Sequence, residues 1–139
     1  MSTFDINTEK IISWILDQDW TINFRGRRNE ADHFDSQINI SYQTRGKTLL
    51  YTLLHEAGHV VLRSDPAYFM TKYQGITAAL VSPKKAFNTN YKVDTVKEEF
   101  DAWRIGEELA NELCLDIDMN DYNKFGNKCL MSYIKWANK

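Results

Sequence analysis

The sequence of residues 53–61 is Leu53-Leu54-His55-Glu56-Ala57-Gly58-His59-Val60-Val61. Residues four apart lie on one face of a helix, so His55 and His59 can bind the same metal ion. Glu56 follows the first histidine directly, and from there its carboxylate can reach a water molecule on that metal. This stretch predicts a helix that carries a metal site, and the rest of the chain is interpreted around it.

The predicted metal helix also has a broad apolar face. At 100° per residue, one arc of the helix collects Leu49, Leu50, Leu53, Leu54, Ala57, Val60 and Val61. The two histidines lie roughly opposite the middle of this arc. We therefore expect a helix over residues 48–63, ended by Ser64-Asp65-Pro66, that buries one face in the core and turns the histidines toward a polar cleft.

The remaining pattern predicts further helices around a short sheet. Apolar residues recur at helical spacing in residues 8–18, 94–114 and 122–136, and a short helix fits residues 73–80. Alternating apolar and polar residues predict strands at 20–24 and 37–42, with a turn at 25–29 and a polar connection at 116–123. The fold class expected is α+β: two or three strands packed on the metal helix, a glutamate-bearing helix and flanking terminal helices.

Residues 67–96 are the part with the weakest periodicity. A long connection of this kind usually forms a lid or a mobile loop, and its aromatic side chains favour the wall of a binding site. The helix after it is expected to begin at Asp94 or Thr95, either of which can cap a helix. Small residues of that helix, Ala102, Gly106 and Ala110, share a stripe with Trp103 and would allow a close approach to another helix.

Composition indicates one globular domain over residues 1–139. The chain has 43% hydrophobic residues and a net charge of −2, from 17 basic and 19 acidic residues. This charge gives no general attraction to nucleic acid or to an anionic membrane, so neither partner is expected. A cytoplasmic location is expected, because the start Met1-Ser2-Thr3-Phe4-Asp5 lacks a secretory signal and no apolar run could span a bilayer. Cys114 and Cys129 are expected to be buried, reduced thiols.

Imidazole and carboxylate ligands suit zinc, which in catalytic sites keeps three protein ligands and one open position. One zinc ion per chain is therefore expected. His33, the one other histidine, lies upstream of the metal helix, so the downstream ligand must be a carboxylate.

Four carboxylates could complete the site. Glu99 is favoured because it lies on the stripe that would pack against the metal helix. Glu98 and Asp101 lie about 100° and 200° away from it and are expected to face solvent. Asp65 lies six residues after His59, but Leu62 occupies the position where a glycine would turn the chain, so Asp65 is interpreted as a turn residue.

His55-Glu56-Ala57-Gly58-His59 followed by Glu99-Phe100-Asp101-Ala102 resembles the gluzincins, zinc peptidases with an HExxH motif and a later Glu-x-x-Ala glutamate. The small intracellular ImmA/IrrE type is the most similar subfamily. The resemblance covers roughly residues 37–64 and 95–113. It departs from the subfamily at Ala102-Trp103 and Ile105-Gly106, where Ala-Asn or Ala-Asp and then Phe-Ala are frequent.

The resemblance implies a zincin-like fold and a zinc metalloendopeptidase. Glu56 would act as general base on a zinc-bound water, and the substrate would be a protein or peptide, including a regulatory protein. As in zincins generally, an extended substrate would pair with the edge of the strand at residues 37–42. The residues that could stabilise an oxyanion are Tyr68, Tyr73, Tyr91, His33 and Arg104.

Two other interpretations stay open at this point. One is a catalytically silent, zinc-stabilised protein-binding module with the same fold. The other is a helical domain in which the motif is coincidental. The sequence does not indicate an oligomeric state.

Overall fold

The computed structural model describes residues 4–139, and this part of the chain has an α+β fold. It contains six α-helices and a small mixed sheet of three strands, which agrees with the predicted fold class. The elements, in chain order, are α1 (Ile6–Asp17), β1 (Thr21–Gly26), β2 (Glu30–Asp32), β3 (Gln37–Ser41), α2 (Gly46–Arg63), α3 (Pro66–Lys72), α4 (Gln74–Val81), a 3₁₀ turn (Pro83–Lys85), α5 (Thr89–Glu112) and α6 (Met119–Ala137).

The sheet has the order β1-β3-β2, so β3 is its central strand. β3 runs parallel to β1 and antiparallel to β2, and its Ile38 and Ile40 are fully buried. The expectation that residues 37–42 offer a free edge to a substrate is therefore wrong, because both edges of β3 are already paired. One outer edge of the sheet belongs to β2. This strand has three residues, which are too few to show an alternation of apolar and polar side chains in the sequence.

Helix α2 is the centre of the fold. Every residue from Leu49 to Val60 is buried, which includes the histidine side as well as the predicted apolar arc. The expectation of one buried face and one face turned to a polar cleft needs one correction: α5 packs over the histidine side of α2, so that side is buried as well. Thr52, which shares that side with the histidines, is buried with them.

Two glycines allow α2 and α5 to approach each other this closely. A Cβ at Gly58 would overlap the carbonyl oxygen of Ala102 on α5, and one at Gly106 would lie 2.8 Å from the carbonyl oxygen of Leu54 on α2. Backbone therefore meets backbone at both crossings. This confirms the predicted role of the small-residue stripe and fixes the distance between the two helices that carry the site.

The expectation that residues 67–96 form a long irregular connection is wrong. The segment contains α3, α4, the 3₁₀ turn and the first turns of α5, and α4 coincides with the short helix predicted at 73–80. Asp65 caps α3 and Asn88 caps α5, so α5 begins before the predicted caps. Asp94 instead accepts a hydrogen bond from the backbone N–H of Gly75. The helices α3 and α4 and the 3₁₀ turn are too short to show a helical repeat of apolar residues in the sequence.

Other boundaries shift because of local caps. Asp5 caps α1 through the backbone N–H of Thr8, at 2.7 Å, and Asp118 caps α6, which shortens the predicted polar connection. Strand β1 extends through part of the predicted turn to Gly26. Cys114 is exposed, contrary to expectation, since it follows the end of α5 with a positive φ of 54°; both cysteines are free thiols. Within residues 4–139, no helix has the length and apolar character needed to cross a membrane.

Candidate metal site

The structure brings His55, His59 and Glu99 together between α2 and α5. The Nε2 atom of His55 lies 2.6 Å from Oε2 of Glu99, and Nε2 of His59 lies 3.1 Å from the same oxygen. The two Nε2 atoms are 3.2 Å apart. The residues are only 9%, 6% and 7% exposed, respectively. This buried group could hold a metal ion.

The spacing of the three atoms fits a tetrahedral ion. Ligand atoms about 2.1 Å from a tetrahedral zinc are about 3.4 Å from one another. Two of the three separations, 3.2 and 3.1 Å, are within a few tenths of an ångström of this value, and the third is shorter. The packing of α5 against α2 thus places the three donor atoms at about the spacing of metal ligands.

The outer nitrogen of each imidazole faces a carboxylate. Nδ1 of His59 lies 2.8 Å from Oε2 of Glu98, and Nδ1 of His55 lies 3.3 Å from Oε1 of Glu56. A carboxylate beside Nδ1 favours a ring proton there, which makes Nε2 the atom of each imidazole that can bind a metal. A metal ion that replaces the Nε2 protons would meet two imidazole lone pairs and the carboxylate oxygen of Glu99.

Glu98 and Glu99 of α5 are held in their charged form. Burial raises the pKa of Glu98, but hydrogen bonds from His59 and Arg63 outweigh it and lower the pKa to about 2. Burial likewise opposes ionisation of Glu99, yet hydrogen bonds from His55 and His59 lower its pKa below the usual range. Ionised Glu99 is the form that a metal ligand requires.

The expectation that Glu98 and Asp101 face solvent is wrong. Glu98 is 4% and Asp101 9% exposed. Arg63 and His59 bind Glu98, while the Tyr73 hydroxyl and Lys72 bind Asp101, the latter at 3.0 Å. A helical wheel drawn against α2 alone misses these partners, because Lys72 and Tyr73 lie where α3 meets α4 and Arg63 lies at the end of α2.

Asp65 is not part of the cluster. It is exposed and accepts a hydrogen bond from the backbone N–H of Tyr68 at 3.2 Å, as the N-cap of α3. The interpretation of Asp65 as a turn residue is therefore confirmed.

A cleft of about 230 Å³ opens beside the three donors. Its walls come from β2, α2, α4, α5 and α6, and they include Glu56, His59, Glu99, His33, Tyr91 and Tyr133. Glu56 is buried on the same helix as the histidines. A carboxylate that could serve as a base thus adjoins both the candidate ligands and a space for a substrate.

Two of the five candidate oxyanion stabilisers line this cleft, namely His33 and Tyr91. Tyr68 and Arg104 are exposed elsewhere, Arg104 bonding Glu108 at 2.7 Å, and Tyr73 donates its hydroxyl to Asp101. Burial, aided by Arg63, lowers the pKa of His33 to about 4, so its ring is neutral at pH 7.

Tyr133 is a cleft residue that the sequence did not reveal. It reaches the cleft from α6, the helix predicted at residues 122–136. Burial and the nearby Glu99 carboxylate raise the pKa of its phenol above the usual range, so the hydroxyl keeps a proton that it can donate.

Trp103 holds the plane of the first imidazole. Its ring stacks on that of His55 with centroids 4.3 Å apart and an interplanar angle of 8°. Helix α6 holds Trp103 in place. A Cβ at Gly126 of α6 would lie 3.0 Å from the Trp103 ring, and the Tyr122 hydroxyl of α6 donates a hydrogen bond to the Trp103 carbonyl oxygen at 2.6 Å. His55 therefore has little freedom to rotate away from Glu99.

We expect zinc to stabilise the fold through this cluster. An ion that binds only the folded chain adds about 2.7 kcal/mol at 100 times its dissociation constant, which is a rise of roughly 10 °C in the thermal midpoint. The measurement is a thermal melt of chelator-treated protein titrated with zinc. Magnesium is the control, since it prefers oxygen ligands and should leave the midpoint unchanged. Equal shifts with both ions, or none with zinc, would contradict this site.

Comparison with known proteins returns no matching family model, no matching curated protein and no matching solved structure.

Proposed function

We propose that this chain is a zinc metallopeptidase with a zincin-like fold. His55, His59 and Glu99 would hold one zinc ion, and Glu56 would be the general base. The observation that carries this proposal is the convergence of three donor atoms within 3.2 Å beside a cleft that Glu56 also lines.

In this proposal the zinc ion and the residues of the cleft have separate roles in catalysis. Bound zinc supplies a Lewis acid that makes a water molecule more acidic and polarises a carbonyl group. Glu56 accepts a proton from the attacking water and transfers it to the leaving amine. Tyr133, with its retained phenol proton, His33 and Tyr91 can donate a hydrogen bond to the carbonyl oxygen as charge develops there. Trp103 keeps His55 oriented throughout.

The substrate in this proposal is an extended peptide segment of a protein, such as a regulatory protein. The outer edge of β2 supports this, because Glu30 and Ala31 line the cleft while the other edge of β2 pairs with β3. An extended peptide could add to the outer edge as a further strand, with its scissile bond over the metal.

A second candidate function is a zinc-stabilised binding module without catalysis. The depth of the site favours it, since the three ligands and Glu56 are each at most 9% exposed. A peptide would have to open the cleft to reach them. The two functions share the zinc ion and differ in turnover.

The test is to incubate zinc-loaded protein with a peptide library and to identify products by mass spectrometry. The peptidase proposal expects new amide cleavage that a chelator abolishes and added zinc restores. Stoichiometric zinc without any cleavage, together with one specific partner retained in a pulldown, would favour the binding module. Cleavage that persists in chelator would contradict a metal-dependent mechanism.

A further inference from the structure

Glu98, the residue before the candidate ligand Glu99, makes three contacts on the far side of His59. Its Oε2 lies 2.8 Å from His59 Nδ1 and 3.0 Å from Arg63 Nε, and its Oε1 lies 2.8 Å from Arg63 Nη2. Both carboxylate oxygens are thus engaged. Two consecutive glutamates of α5 approach the same imidazole, Glu99 at Nε2 and Glu98 at Nδ1.

Arg63 is itself fixed in place. It lies four residues after His59, on the same face of α2, and its guanidinium carbon sits 4.4 Å above the centre of the Phe69 ring on α3. The planar guanidinium donates two hydrogen bonds to the Glu98 carboxylate, a bidentate geometry that a lysine could not reproduce. A continuous chain of contacts therefore runs from Phe69 through Arg63 and Glu98 to His59.

We propose that Glu98 and Arg63 are positioning residues for the metal centre: they anchor the Nδ1–H of His59 so that its Nε2 stays turned toward Glu99 and His55. Glu98 fixes the tautomer and the ring orientation, and Arg63 fixes Glu98. This inference rests on the metal site of the proposed function but not on peptide cleavage.

The contacts of Glu98 distinguish it from an ordinary buried ion pair. Asp101, three residues later on α5, is also buried and also paired with a cation, Lys72, at 3.0 Å. Its other partner is the Tyr73 hydroxyl, and it bonds neither histidine. Asp101 and Lys72 are therefore a matched control: they also form an ion pair with a buried carboxylate, but away from the candidate metal ligands.

The experiment compares zinc affinity, measured by chelator competition, in the wild type and in Glu98→Gln, Arg63→Met, Asp101→Asn and Lys72→Met. Loss of a residue that orients a metal ligand weakens metal binding by about 10–100-fold. We expect this loss for Glu98→Gln and Arg63→Met, and a change of less than about twofold for the two controls. If Glu98→Gln does not fold, Arg63→Met decides, because the Arg63 side chain is 29% exposed.

A second readout reports the tautomer directly. The chain has three histidines, so a ¹⁵N-histidine NMR spectrum of the zinc-loaded protein is simple to assign. We expect the wild type to show a protonated, exchange-protected Nδ1 on His59, and the Glu98 and Arg63 variants to lose that protection. The control variants should keep it.

The outcomes separate this inference from the peptidase proposal. Wild-type affinity and an unchanged His59 signal in both variants would overturn the positioning role alone. Equal losses in the Asp101 and Glu98 variants would also overturn it, since any buried ion pair would then have the same effect. If the two variants lose zinc affinity as expected and the wild type cleaves no peptide, the positioning role would be supported and peptidase activity rejected. A wild type that binds no zinc would overturn both.

Discussion

Replacing Glu56 by glutamine is expected to lower peptide cleavage by about 10²–10⁴-fold, which is the usual contribution of a general base. Glutamine preserves the size of the side chain but cannot take a proton from water. The three zinc ligands are unchanged, and saturating zinc in the assay offsets any weakening from the altered contact to His55 Nδ1, so one zinc ion per chain should remain. The measurement is kcat/KM on a peptide identified in the library screen, with zinc content determined on the same preparation.

The Asp101→Asn variant is the control for this change. It also replaces a buried carboxylate by an amide, but on α5 and away from the cleft, where Asp101 bonds Tyr73 and Lys72. It should retain wild-type kcat/KM once folded. Cleavage by Glu56→Gln at the parental rate would show that Glu56 is not the base, even with zinc in place.

Replacing Gly58 by alanine is expected to destabilise the protein by about 3 kcal/mol, although alanine normally favours a helix interior by roughly 1 kcal/mol over glycine. The sign reverses because the new Cβ would overlap the carbonyl group of Ala102, which is backbone and cannot turn aside. Separating α2 from α5 would also draw Glu99 away from both imidazoles. A lower midpoint in urea unfolding and weaker zinc binding should therefore occur together.

Gly46 provides the comparison for this substitution. It lies at the start of the same helix with a φ of 61° and no atom within 4 Å of a new Cβ, so alanine there brings backbone strain without overlap. We expect a cost of about 1–2 kcal/mol and unchanged zinc affinity. Adding Ala102→Gly to Gly58→Ala should not restore stability, since the overlap involves main-chain atoms. A neutral Gly58→Ala variant would refute the close crossing.

Local patterns were sufficient to predict the elements that carry the site. The apolar arc of α2 and the alternation in β3 each predicted the observed element to within a few residues. The small stripe of α5 correctly predicted close packing, and its phase placed Glu99, rather than Asp65, beside the histidines. These features depend on residues that lie close together in the sequence.

The errors involve contacts between distant segments. A helical wheel predicts a solvent-facing Glu98, since it does not show the partner Arg63, which lies 35 residues earlier in the chain. Tyr133 lies within the helix predicted at residues 122–136, but the sequence does not show that this helix reaches the cleft. Strand β2 owes its position to pairing with β3 rather than to its own three residues, and this pairing also displaced β3 from the sheet edge.

A crystal structure of the zinc-loaded protein, with anomalous diffraction measured at the zinc edge, tests the metal site directly. The expected result is one peak per chain about 2.0–2.2 Å from Nε2 of His55, Nε2 of His59 and a carboxylate oxygen of Glu99. The remaining coordination position should face the cleft beside Glu56. No peak at this cluster, or a peak held by Glu98, Asp101 or Asp65 in place of Glu99, would contradict it.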